Sequence, residues 1–318
     1  MFEAENIDRP ASEQERLEKL LRELRNIGKQ LRLGVDAVRS GKIPGEVLVQ
    51  GMRAQDPLPA GPAVELQPLP TGGSFAWLGP ERATTAVLYC HGGGGVSGSV
   101  GGHRERMEKL GRLCGSRIFG LEYRLAPEHP FPSDIDDAVA GYRALLAQGI
   151  PPERIAFAGD SHGGGIALAA LIRARDLGEP LPAAAFLACG VFDRTVVVQE
   201  GFLEREVTWE LNDPVLSYGP FLRWLCETYL GGEDPANPLA SPLLADLSGL
   251  PPLFIQAGEK EVLRGQSEKL AQAVWRAGGE ATLDIVTDMF HNFHAYPLVA
   301  ARAAVERAAE FLQERLDP

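Results

Sequence analysis

From about residue 86 onward the chain alternates short apolar runs with longer segments whose apolar residues recur at helical spacing. The runs Ala86–Cys90, Arg117–Tyr123, Ile155–Ala158, Ala183–Leu187, Leu253–Ala257 and Thr282–Val286 read as strands. Between and after them the spacing predicts helices over Asp134–Gln148, His162–Leu177, Gln266–Ala277 and Leu298–Leu316. Buried strands alternating with helices predict an α/β fold around a mostly parallel sheet flanked by helices. Upstream, Ala63–Leu66 and Gly73–Leu78 read as short strands, and residues 41–62, with several Gly and Pro, as a linker or irregular arm. Residues 12–33 predict an amphipathic helix, started by a Ser12–Glu15 capping box and striped by Leu17, Leu20, Leu21, Leu24, Ile27 and Leu31. Such a stripe has to cover something apolar, and a flap over the main body is favoured over a dimer face.

The alternation breaks between about Asp193 and Pro238. That span carries Phe202, Trp209, Tyr218, Phe221, Trp224 and Tyr229 and is too long for a simple connection between strands. It reads as an inserted, largely helical cap. The expected organisation is therefore an N-terminal helical arm over 1–55, a core over 56–192 and 238–318, and a cap segment over 193–237. Phe202, Trp209 and Phe221, together with Gly94 and Asn292, are the candidates for lining a substrate pocket.

Composition changes this picture little. The 318 residues are 45% hydrophobic and 23% charged, enough for a sizeable core. A net charge of −12 argues against nucleic acid or anionic membrane partners. Cys90, Cys114, Cys189 and Cys226 show no C-x-x-C or metal-ligand spacing and read as small buried hydrophobes in a reducing compartment. No apolar run approaches the roughly 18 residues of a membrane span, and the N-terminal stretch is too charged for a signal peptide. The expected location is the cytoplasm.

The candidate chemistry centres on Gly159-Asp160-Ser161-His162-Gly163, where a buried strand meets a small-residue helix. This is the strand–turn–helix context of a nucleophile elbow, with Gly159 and Gly163 removing side chains where strand and helix approach. A serine hydroxyl needs a general base, an orienting acid and preorganised oxyanion donors. Strand Ala86–Cys90 runs into His91-Gly92-Gly93-Gly94-Gly95, whose amides can face a cleft unobstructed; no G-x-x-x-x-G-K-[ST] frame supports a phosphate loop instead. In elbow hydrolases the chain order is serine, acid, histidine. Of six histidines only His291 and His294 follow the serine beyond its own neighbour, and His291 is preferred as base. The acid belongs after strand Leu253–Ala257, where Glu259 and Glu261 compete.

The motifs then combine. HGGG at 91–94 continues as GVSGS; YRLAPEHPFP spans 123–132; GDSHGG spans 159–164; SPLLADLSGLPPL spans 241–253; MFHNF spans 289–293. From about residue 80 onward the chain resembles the bacterial hormone-sensitive-lipase-like esterases. The resemblance implies an α/β-hydrolase core with a cap built from N-terminal helices and an insertion before the acid. It implies hydrolysis of carboxylesters with short to medium acyl chains, a small-molecule substrate, no cofactor and no metal. By analogy alone it adds a homodimer. Carried over, Ser161 matches the nucleophile, His291 the base, and Gly92, Gly93 and the amide of His162 the oxyanion donors. Where many members carry Asp in D-P-L, this chain has Glu261-Val262-Leu263, and aligning the leucine puts Glu261 at the acid. At 162 the family usually has alanine; the histidine here is expected to stay neutral at its helix N-terminus and to narrow the pocket or affect the choice of leaving group. Glu128 and Asp160 resemble positions that brace the catalytic loops. Amide or lactone hydrolysis by the same machinery, or small-ligand binding without catalysis, are the alternatives that the motifs leave standing.

Overall fold

The computed structural model describes residues 11–55 and 63–316. Helices α1 (Ala11–Arg39) and α2 (Gly45–Ala54) come first, followed by strands β1 (Gln67–Pro68), β2 (Ser74–Leu78) and β3 (Ala86–Cys90). Next come α3 (Val100–Cys114), β4 (Arg117–Glu122), α4 (Ser133–Ala147), β5 (Ile155–Asp160), α5 (His162–Asp176) and β6 (Ala184–Ala188). Helices α6 (Arg194–Val197), α7 (Phe202–Glu206) and α8 (Gly219–Leu230) occupy the span where the alternation broke. The chain ends with β7 (Leu253–Gly258), α9 (Arg264–Arg276), β8 (Ala281–Val286) and α10 (Val299–Leu316).

The eight strands form one sheet in the order β1-β2-β4-β3-β5-β6-β7-β8. β1 and β2 join antiparallel and everything from β4 to β8 is parallel. Successive residues of a strand point to opposite faces. Leu88 and Cys90 therefore join Phe157, Leu187 and Ile255 under α4, α5 and α9. Val87 and Tyr89 join Ala156, Phe186 and Phe254 under α3 and α10. With both faces covered, the central strands β3 and β6 are apolar and buried at every position, which is why they read as runs and not as alternating patterns.

Several expectations change. Residues 41–62 are not all irregular, since α2 occupies Gly45–Ala54, and Ala63–Leu66 is not a strand; the short strand lies just beyond, at Gln67–Pro68. The α2 sequence buries Leu48 and Val49 against other helices, a tertiary contact that offsets its glycines. Helix α3 was not foreseen because Gly101 and Gly102 open it; its signals are local, a Ser99 side chain capping the Gly102 amide and Gly115 left-handed after its end. The Ser12–Glu15 capping box lies outside the described side chains, and the helix already includes Ala11.

The α1 stripe is shared between two partners. Leu17, Leu20, Leu21 and Leu24 pack on Met289, Phe290 and Phe293 of the β8–α10 loop, while Leu31 and Val35 pack on α2 and α8. Ile27 departs from the stripe and is exposed. Each fully buried Leu or Val contributes roughly 1.5–3 kcal/mol, so α1 is tied to both the sheet's loops and the inserted helices.

Candidate active site

The parallel strands bring their C-terminal ends to one edge of the sheet, the usual place for a site in an open α/β sheet. Cys90 pairs with Gly159, Asp160 with Ala188, and Gly258 with Val286. The loops after β3, β5, β7 and β8 therefore meet. Ser161 sits between β5 and α5 at φ 54°, ψ −121°, a strained conformation for a residue with a side chain. The strain persists because the crossing is over-determined by packing. A Cβ at Gly163 would lie 2.0 Å from the Cys90 carbonyl oxygen, so no other residue lets α5 approach β3 so closely.

His291 Nε2 lies 2.9 Å from Ser161 Oγ, and His291 Nδ1 lies 2.9 Å from Glu261 Oε2. A carboxylate only accepts, so Nδ1–H donates to it and the Nε2 lone pair is left to accept the serine hydroxyl proton. Burial alone would lower the His291 pKa, but hydrogen bonding and charge from Glu261 outweigh it and the net shift is upward. Burial pushes the Glu261 carboxyl up, opposed by its contact with His291. Of the two candidate acids, Glu261 is the one beside His291; Glu259 turns away and accepts the Asp288 amide at 2.9 Å. His294 is half-buried, its Nε2 2.6 Å from Gln256 Oε1, with desolvation lowering its pKa to about 3.

The glycine loop departs from expectation by one residue. The Gly92 amide donates to His103 Nε2 at 3.2 Å, so it is not directed at the cleft. Gly93 and Gly94 line the cavity with Ser161 and His162. Among the described residues no protein acceptor takes the amides of Gly93, Gly94 or His162. Gly93 is held at φ 128°, open in practice only to glycine.

Asp160, one residue before the serine, is a buried hub. It accepts Tyr89 Oη at 2.9 Å, Arg106 Nη1 at 2.7 Å and Asn292 Nδ2 at 2.9 Å. Burial would raise its pKa, but Arg106 and the neighbouring donors hold the carboxyl well below the usual range. The hub thus ties the serine turn to the residue after His291. Glu128 pairs with Arg53 of α2 through two hydrogen bonds of 2.9 and 2.7 Å, while Arg53 Nε also donates to the Val96 carbonyl. That contact links α2 to the glycine loop.

Burial comes first among the causes that lower the His162 pKa, with the Arg194 charge adding to it and the Asp134 contact opposing it. Arg194 Nη2 donates to its Nδ1 at 2.9 Å, and since guanidinium cannot accept, Nε2–H donates to Asp134 Oδ2 at 2.9 Å. Tyr229 Oη donates to the other Asp134 oxygen at 3.2 Å. The ring of His162 borders a cavity of about 200 Å³, walled chiefly by one face of α8 with Leu31, Met52 and Leu263. Gly94, Phe221 and Asn292 are among the residues that line it.

Phe202 and Trp209 do not. Phe202 is buried among the inserted helices and borders a separate cavity of about 500 Å³ with Arg32, Arg39 and Arg223, which contains none of Ser161, Glu261 and His291. Trp209 lies behind the carboxylate, its Nε1 donating to the Glu261 carbonyl at 3.0 Å. Arg106, His103, Asp134 and Arg194 escaped sequence reading. The contacts that bring Arg106, Asp134 and Arg194 into the site reach residues 28 or more away, and the Gly92–His103 contact rests on a helix opened by two glycines. Among the described residues, one group has the composition of a metal site: Cys189, Glu261 and His291, with ligand atoms within 4.8 Å of one another. Two of its three members already form the serine–imidazole–carboxylate chain. No helix among the described residues is long and apolar enough to cross a membrane.

Residues 87–295 match the family model described as the alpha/beta hydrolase fold. An acetyl-hydrolase of Streptomyces hygroscopicus is 43% identical over 247 residues, covering 74% of this chain and 78% of that protein. An esterase of Acinetobacter venetianus is 31% identical over 257 residues, covering 80% and 83%. Among solved structures, an esterase/lipase from an uncultured bacterium superposes with a TM-score of 0.76 at 36% identity, covering 92% of this chain and all of that one. An esterase from the bacterial hormone-sensitive lipase family gives 0.74 at 35% identity, covering 91% and 98%.

Proposed function

The chain belongs to the alpha/beta hydrolase fold family, among esterases of the hormone-sensitive lipase type, and on that premise we propose that it is a carboxylesterase in which Ser161, His291 and Glu261 form the catalytic triad. The observation that carries the reading is the unbroken chain Ser161–His291–Glu261, with 2.9 Å at each link, opening onto a cavity edged by unpaired backbone amides.

His291 Nε2 takes the hydroxyl proton as Ser161 Oγ attacks the acyl carbon. Glu261 holds the imidazole in the required tautomer and stabilises the imidazolium. The amides of Gly93, Gly94 and His162 receive the oxyanion, helped by the positive N-terminal end of α5. His291 then passes its proton to the departing alcohol, and water repeats the sequence on the acyl-enzyme. Helices α1, α2 and α6–α8 form a cap over the site. A cavity of about 200 Å³ walled by Leu31, Phe221, Leu222 and Leu225 favours acyl esters of short to medium length.

Ser161→Ala is the test. Hydrolysis of p-nitrophenyl acetate and butyrate should fall on the order of 10⁴-fold or more, labelling by a fluorophosphonate should vanish, and the far-UV circular dichroism should not change. Turnover within tenfold of the parent protein would overturn the assignment.

A further inference from the structure

The acid of the proposed triad is half satisfied. Glu261 is fully buried, its Oε2 engages His291, and its Oε1 is buried with no hydrogen-bond partner. An ionised carboxylate in that position needs donors on both oxygens, because a bare buried oxygen carries its full desolvation penalty. The group built beside it is the Cys189 thiol, within 4.8 Å of the Glu261 and His291 ligand atoms.

Cys189 is itself unusual. It follows β6 at φ 50°, left-handed backbone that a non-glycine residue adopts at a cost. It is wholly buried, and its amide donates to the Gln256 carbonyl at 2.7 Å, which fixes the turn. A strained, buried, non-glycine residue whose side chain ends beside an unpartnered carboxylate oxygen has a geometric reason to be there. We propose that Cys189 is a positioning residue whose thiol S–H donates to Glu261 Oε1, holding the carboxylate ionised and oriented toward His291. The inference rests on Glu261 being the acid of the triad. Burial and the neighbouring carboxylate both push the thiol pKa up, so the sulfur keeps the proton it must share. The other groups facing Glu261 are Asp213, an acceptor, and the Trp209 indole, which is taken by the Glu261 carbonyl. Neither supplies the missing donor.

The experiment is a double-mutant cycle on the full-length protein with p-nitrophenyl acetate. Cys189→Ala should lower kcat about tenfold, as loss of a hydrogen bond to a charged group does, with KM unchanged. Cys189→Ser, which keeps a donor, should restore kcat to within about threefold of the parent. In a Glu261→Gln background Cys189→Ala should have no further effect on kcat, because the thiol acts only through the carboxylate. A Cys189→Ala enzyme with unchanged kcat overturns the proposal. So does an equal loss in both backgrounds, or a serine variant as impaired as the alanine one. If Glu261→Gln alone is fully active, it is the triad reading that fails, a result distinct from all of these.

Discussion

Removing the cation beside Asp160 tests the hub that joins the serine turn to the histidine loop. Arg106→Met keeps the aliphatic stem and deletes the guanidinium that lies 2.7 Å from Asp160 Oδ2. Asp160 is 1% exposed, so the carboxylate cannot turn to water. At a charge separation of about 4 Å and an effective dielectric of about 20 the lost attraction is about 4 kcal/mol. Breaking a buried pair costs about 3–5 kcal/mol for the same reason. Tyr89 and Asn292 still donate to the carboxylate, so about 3 kcal/mol is expected.

The size of the penalty depends on pH. In the parent protein the folded-state Asp160 pKa lies well below 3.8, so its stabilisation is fully present above the unfolded value and is lost only as pH falls through the folded one. Without Arg106 the largest group opposing burial is gone, so the folded-state pKa is expected to rise. The variant's penalty is then greatest at high pH and is relieved as Asp160 takes up a proton. Urea unfolding followed by tryptophan fluorescence should show a gap of about 3 kcal/mol at about pH 8, narrowing at about pH 5. A gap below about 1 kcal/mol at the higher pH, or one that does not narrow at the lower, would refute the reasoning.

Two further outcomes follow from the site. Glu261→Gln should reduce kcat for p-nitrophenyl acetate by about two or more orders of magnitude, whereas Glu259→Gln, which loses only the contact to the Asp288 amide, should stay within about threefold; the reverse ranking would move the acid. His291 must be neutral to act as base and its pKa is raised above the usual 6.5. The acid limb of kcat/KM should therefore bend above that value, activity rising as pH increases through it; a limb centred below it would contradict the carboxylate contact.

The chemistry-bearing loops were legible because each ends a strand, and a strand end is marked by glycine or a polar residue after an apolar run. Ser161, His291 and Glu261 could be proposed from chain order and motif alone. Gly92 shows where that stops. The string HGGG does not say which amides face the cleft; the His103 imidazole decides, by accepting the Gly92 amide hydrogen bond from a helix that two glycines hid from view. Trp209 and Phe202 show the same limit for side chains. Both are aromatic residues of the insertion, yet one props the Glu261 carbonyl and the other faces a different cavity.

What the sequence determined by itself was the alternation, the turns and the residue types. Those are set by local periodicity, by backbone φ and by which side chains can exchange a proton. Only the tertiary structure decided how His162 is used. Local reasoning kept it neutral through the helix end. The fold keeps it neutral by burying it between Arg194, which can only donate, and Asp134, which can only accept. Those partners stand 32 and 28 residues away along the chain, and a hydrogen bond over that separation leaves no periodic trace, because it is made by packing and not by spacing.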